Sequence, residues 1–245
     1  MIARLALVAI VVNSQFAVAA SRQTIGRGQS GGARSELRVA SQELIAGSWE
    51  FQTSQGHGRL FPPTDLGLLE TPDRAAWQKP EQIMDALKIA DSAKVADIGA
   101  GGGFFTVRLA RRVGPNGIVY AVDVQPEMLE AIKRRVSREG LQNVEAVLGT
   151  ETNPRLPAGA LDAVLFVDSY QEVEEADRLP FLRNIARSLK PGGRLGIVNY
   201  KPGRGGPGPD VRIPSAVVEA DASAAGLRVV DRADLPFQYL LVFGT

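Results

Sequence analysis

The chain has no cysteine among its 245 residues. That excludes disulfides, thiolate metal sites and a lipid-modified cysteine. Histidine is almost as scarce: His57 stands alone and reads as a surface-loop residue, so no metal site is expected. An excess of either charge is also missing. Lys plus Arg number 28 and Asp plus Glu 27, a net +1 that is too small for the electrostatic footprint of a nucleic-acid binder. The one basic cluster, Lys133, Arg134, Arg135 and Arg138, falls on the polar side of a helix and reads as a solvated face. With 44% hydrophobic and 22% charged residues, neither a disordered nor a fibrous class fits.

A spanning helix of about 20 apolar residues is absent as well. The N-terminal run Leu5 to Val12 is too short, and Asn13, Ser14 and Gln15 interrupt it. Arg4 before that run and Ala17-Val18-Ala19-Ala20 after it suit a cleaved export signal over residues 1–20. The expectation is therefore a periplasmic or secreted protein, or a cytoplasmic one if the signal is not real. Residues 21–56 read as a Gly-, Ser- and Arg-rich linker, with one short helix over Ser35 to Ala46.

What is present in abundance is glycine at meaningful positions. Val95 to Thr106 reads VADIGAGGGFFT: an apolar strand ending in an acid, then a turn through Gly99, Gly101 and Gly103 into a helix. Glycines there permit backbone dihedrals closed to other residues and let a ligand lie against the bare main chain. The helix N-terminus behind the turn favours a polar or anionic group. This is the form of a nucleotide-like cofactor cradle at the C-terminal edge of a parallel sheet. The dinucleotide fingerprint G-x-G-x-x-G would need glycine at 104, where Phe104 stands.

Ile118 to Asp123 is a second apolar strand ending in an acid. Pro126 then opens a helix that stops at Gly140. Asp123 lies where an acid accepts hydrogen bonds from both ribose hydroxyls; capping the following helix is the alternative. A third block, LKPGGRLGIVNY from Leu189 to Tyr200, combines a helix end, a Pro-Gly-Gly turn and a β-rich run.

Taken together, the G-x-G-x-G turn preceded by Asp97, the strand-two acid and the LKPGG block resemble the class I S-adenosylmethionine-dependent methyltransferases, over roughly Lys79 to Thr245. The resemblance implies a Rossmann-like α/β fold: a seven-stranded, mostly parallel sheet with helices on both faces and the last strand antiparallel. It implies S-adenosyl-L-methionine as cofactor, held by Asp97, Gly99, Ala100, Gly101 and Gly103, by Asp123 with Val124 and Met128, and by Thr150 and Glu151 beside the adenine. A small-molecule acceptor follows, with no nucleic-acid partner and no stable membrane insertion beyond the signal segment. The missing cysteines argue against the arsenite-methylating branch.

Methyl transfer from a sulfonium needs alignment and exclusion of water more than it needs a base. Acceptor-side residues belong at the end of strand four, which carries Asp168, Tyr170 and Glu172. Asp168 reads as a contact to the methionyl amine or as a base, with capping as the alternative. Relatives often have histidine in this loop; Gln171 stands here and cannot act as a base. Two other functions stay open: a cofactor-binding module without turnover, and, less favoured because of Phe104, a nicotinamide oxidoreductase.

The remaining pattern places helices over about Pro80 to Ala90, Phe104 to Val113, Pro180 to Leu189 and Ser215 to Ala225. Strands are expected at Lys94 to Ile98, Val144 to Leu148, Leu161 to Val167, Arg194 to Tyr200, Leu227 to Val230 and Gln238 to Phe243. Residues 57–245 form the catalytic domain in this reading. Within it, 57–78 is a lid over the cofactor or plain packing, and Lys201 to Pro214 is a substrate loop or a connector.

Overall fold

The computed structural model describes residues 60–69, 71–203 and 212–245. The expected signal segment, the linker, its short helix and His57 lie outside the described residues. So does most of the loop between Lys201 and Pro214.

Two short helices lead in: α1 (Arg74–Gln78) and α2 (Pro80–Ala86). Strict alternation follows with β1 (Lys94–Ile98), α3 (Phe104–Val113), β2 (Ile118–Asp123), α4 (Pro126–Arg138), β3 (Val144–Leu148), β4 (Leu161–Val167), α5 (Glu175–Ser188) and β5 (Leu189–Tyr200). The chain closes with α6 (Ser215–Ala224), β6 (Arg228–Asp234) and β7 (Gln238–Gly244). The sheet order is β3-β2-β1-β4-β5-β7-β6. Pairs from β3 to β5 are parallel, and β7 runs antiparallel to both β5 and β6.

The central strands are apolar on both faces because helices cover both. Val95, Ala96, Ile98, Val164, Leu165 and Phe166 are each at most 3% exposed. One core lies between the sheet and α5–α6 around Phe166, Leu182, Ile197 and Phe243. A second lies between the sheet and α2–α3 around Ile83, Leu109, Val119 and Val242, and a small third under α4 around Ala121, Leu129 and Ile132. Order reverses between β1 and β4, where strand ends of an open α/β sheet leave a crevice for ligand.

Several boundaries differ from expectation: the helix from Pro80 ends at Ala86, not Ala90, the strand expected to end at Val230 runs to Asp234, and two more differ for clear physical reasons. Helix α5 starts five residues before Pro180, at Glu175, and carries the proline inside it. Glu175 and Asp177 in the first turn complement the helix dipole, and Pro180 is exposed, so the turn tolerates a missing N–H. Strand β5 starts at Leu189 because Leu189 pairs with Leu161 ahead of the Pro-Gly-Gly turn; a register shift between Leu161 and Ala163 absorbs the turn. Among the described residues, no helix is long and apolar enough to cross a membrane.

Candidate functional site

The carboxyl ends of β1, β2 and β4 bring the sequence motifs together. Gly99, Gly101 and Gly103 all take left-handed dihedrals, with φ of 64°, 53° and 83°. The Gly101 N–H donates to Asp123 Oδ2 at 3.0 Å, and the Gln125 N–H donates to Oδ1 at 3.0 Å. Asp123 thus holds the glycine turn with one oxygen and the mouth of α4 with the other. Each oxygen retains acceptor capacity, which suits two ribose hydroxyls. Burial pushes its pKa up, against the backbone N–H groups that pull it down.

Below the turn, Asp97 accepts a 2.6 Å hydrogen bond from the Thr106 hydroxyl on α3. Burial raises it to about 7. Ala100 is anchored by its N–H to Val122 O, and Met128 is buried under the start of α4. Val124 adds a backbone N–H to Asp123. Past β3, Thr150 closes a small turn with Asn153 while Glu151 is exposed. Phe104 fills the position where a dinucleotide turn needs bare backbone. The Arg74 and Arg108 guanidinium carbons lie 4.1 Å and 3.7 Å from its ring centre.

Asp168 leaves β4 in a left-handed conformation, φ 59°, uncommon for a residue with a side chain. Its Oδ2 accepts from Gln78 Nε2 at 2.7 Å, and Gln238 Nε2 and the Tyr200 hydroxyl also donate to the carboxylate. Arg74 acts on it from α1, and burial holds it up to about 6. The short 3-10 turn Tyr170–Glu172 receives no side-chain cap, which removes the capping alternative for Asp168. Tyr170 is corrected: its side chain is fully buried in the α5–α6 core, edge-on to Phe166, and its hydroxyl donates to Asp221 at 2.8 Å. That hydroxyl is spent on the core. Glu172 sits near Asp123 and Asp168 and is raised to about 8, chiefly by burial.

Residues 60–69 and 71–78 run along this edge and touch it at several points. Gln125 Nε2 donates to Phe61 O at 3.1 Å beside the strand-two acid, and Gln78 reaches Asp168. Trp77 packs against Tyr200 and Phe237, with ring centres 6.1 and 6.0 Å away. Arg74, Gln78, Tyr200 and Gln238 are the residues that motif reading missed. Two surface grooves, of about 540 Å³ beside Pro180, Arg183 and Ala225 and about 460 Å³ beside Arg108, Arg111 and Glu139, contain none of the strand-end acids.

The raised carboxyls of Asp97, Asp168 and Glu172, with Asp123 shifted in the same direction, have a thermodynamic consequence. Unfolded Asp and Glu titrate near pH 4, and these titrate higher in the folded chain. The folded state therefore binds protons more tightly. The resulting stability is complete below about pH 4 and is lost as pH rises through about 6, 7 and 8. The melting temperature of the protein without cofactor should fall by several degrees between pH 5 and pH 8. Scanning calorimetry checks this; a flat or rising profile would contradict it.

An open α/β sheet with a glycine turn and a strand-two acid at its switch point defines a Rossmann-like cofactor protein. Comparison with known proteins narrows the class. A methyltransferase domain family matches residues 95–193. An uncharacterised methyltransferase of Mycobacterium tuberculosis is 39% identical over 127 residues, 51% of this chain and 47% of that protein. A protein-L-isoaspartate O-methyltransferase of Methanothrix thermoacetophila is 30% identical over 148 residues, 56% of this chain and 67% of the relative. The crystal structure of a SAM-dependent methyltransferase from Aquifex aeolicus superposes with a TM-score of 0.68 at 28% identity, covering 75% of this chain and 98% of that one. The chain spans about half the length of the mycobacterial relative. It belongs to the class I S-adenosylmethionine-dependent methyltransferase family.

Proposed function

We propose that the protein transfers a methyl group from S-adenosyl-L-methionine to a small-molecule acceptor. The observation that carries this reading is the paired anchoring of Asp123 by Gly101 and Gln125, which presents a carboxylate at a bare glycine turn. In this reading Asp123 takes the ribose hydroxyls and Asp97 with Gly99 to Gly103 lines the methionyl side. Val124, Met128, Thr150 and Glu151 border the adenine. The cofactor, when bound, supplies an electrophilic methyl on a sulfonium. The chain's own work is to orient and to exclude water. Residues 60–69 and 71–78 serve as the cap, tied down by Gln78 on Asp168, and Glu172 faces the acceptor side.

Asp123→Ala should weaken binding of S-adenosylhomocysteine by about 1.5–3 kcal/mol, the worth of hydrogen bonds to a charged group. Isothermal titration measures it. Wild-type affinity in the variant would remove Asp123 from the site and the turn from the cofactor. Turnover is tested separately, by methyl-labelled cofactor and a panel of phenols, amines and carboxylic acids. Label recovered in none of them would favour a binding module.

A further inference from the structure

Helix α4 carries the basic cluster Lys133, Arg134, Arg135 and Arg138. Lys133, Arg134 and Arg138 are exposed, as a solvated face requires, whereas Arg135 is half-buried. Its Nη1 donates a 2.8 Å hydrogen bond to Gly102 O, inside the glycine turn 33 residues earlier. A carbon added at Gly103 would meet Arg135 Cδ and Ile132 Cγ1 at 3.5 Å, so α4 also packs against the turn. The turn needs such support. Gly101, Gly102 and Gly103 have no side chains to pack, and glycine keeps more backbone freedom than any other residue until something outside fixes it. Polar contacts fix two of the peptide units. Asp123 takes the Gly101 N–H at 3.0 Å. The unit joining Gly102 to Gly103 is held at both ends, its carbonyl by Arg135 and its N–H by Ala100 O at 2.9 Å.

We infer that Arg135 is a positioning residue for the cofactor: acting through Gly102 O, it holds the glycine turn in its binding conformation before ligand arrives. The inference rests on the cofactor reading above and gives Arg135 no contact with the ligand. Gly102 is partly open to solvent, so water can replace the guanidinium and the fold persists without it. The turn then samples other conformations, and the ligand must order it on binding. The cost falls on affinity rather than on stability.

Isothermal titration of the full chain with S-adenosylhomocysteine tests this, alongside thermal melting of the ligand-free protein. Arg135→Met keeps the apolar stem and removes the donors. Affinity should fall about tenfold with a less favourable binding entropy, while the melting temperature moves by less than about 2 °C. Arg135→Lys, a point charge in place of the planar fork, should recover part of the loss and bind about threefold more weakly than wild type. Arg134→Met and Arg138→Met remove a positive charge from exposed positions of the same helix and should bind like wild type, which separates positioning from long-range charge. Wild-type affinity in Arg135→Met, or an equal loss in all three methionine variants, overturns the inference and leaves the cofactor reading standing. If Arg135→Met does not fold, wild-type affinity in Arg135→Lys overturns it in the same way. Failure of the wild type to bind overturns the two together.

Discussion

Alanine at position 99 should remove cofactor binding while the fold survives. Gly99 sits at φ 64°, and a Cβ placed there would lie 2.3 Å from Ser169 Oγ and 2.7 Å from Ser169 Cβ. The left-handed conformation alone costs about 1–2 kcal/mol for a residue with a side chain. Ser169 cannot simply step aside. It follows Asp168, whose carboxylate is gripped by Gln78 and Gln238, and its own hydroxyl reaches Ile98 O at 3.3 Å. Relief of the clash must therefore spread the β1 and β4 turns apart, which displaces both sides of the crevice at once. We expect at least a hundredfold loss of affinity for S-adenosylhomocysteine, about 2.7 kcal/mol. Gly140→Ala is the matched control: φ is 67° there, with nothing within 4 Å of the added carbon. It should lose about 1 kcal/mol of stability and bind normally. Equal binding by Gly99→Ala and wild type would show that the turn does not border the cofactor.

The glycine turn was legible because its constraint is local. Gly99, Gly101 and Gly103 must adopt dihedrals that few other residues accept, so the chain writes the turn in one contiguous string. The ends of β1, β3, β4 and α3 were legible for a similar reason, since apolar runs stop where the polar edge begins. Pro180 misled because proline marks a helix start only when nothing earlier does so; Glu175 and Asp177 already supply the first turn. Tyr170 misled in another way. A tyrosine just past a strand-four acid looks like a pocket residue, and the direction of one short 3-10 turn sends it into the core instead.

The network around Asp168 was illegible for a deeper reason. Gln78 and Gln238 are separated by 160 residues, yet their amides lie 3.3 Å apart and both donate to one carboxylate. Neither glutamine has a spacing or a periodicity to announce it. They meet because β7 inserts beside β5 and delivers Gln238 opposite Tyr200, while α1 folds back over the same edge. Such a contact is a property of the topology. It becomes visible only when the strand order is known.

Arg74→Met should be strongly destabilising at pH 8 and only mildly so at pH 5. Methionine keeps an apolar stem against Phe104, where the guanidinium carbon sits 4.1 Å from the ring centre, so the packing loss is small. What disappears is the cation acting on both Asp168 and Asp97, together with the 2.6 Å hydrogen bond from Nε to Gln78 Oε1. Burial already holds the two acids up to about 6 and about 7 while Arg74 pulls them down. Without the guanidinium both rise further, the folded state binds protons more tightly still, and stability falls more steeply as pH climbs past the unfolded value near 4. Near pH 8 both carboxylates are charged in the wild type, and in the variant they keep their hydrogen-bond donors but lose the cation, a loss of about 2–4 kcal/mol. Near pH 5 both are largely protonated in either protein, and the gap should shrink below about 1 kcal/mol. Denaturant unfolding at the two pH values measures this directly. A gap independent of pH would mean that Arg74 contributes through packing alone, and the charge coupling of α1 to the strand-four edge would have to be abandoned.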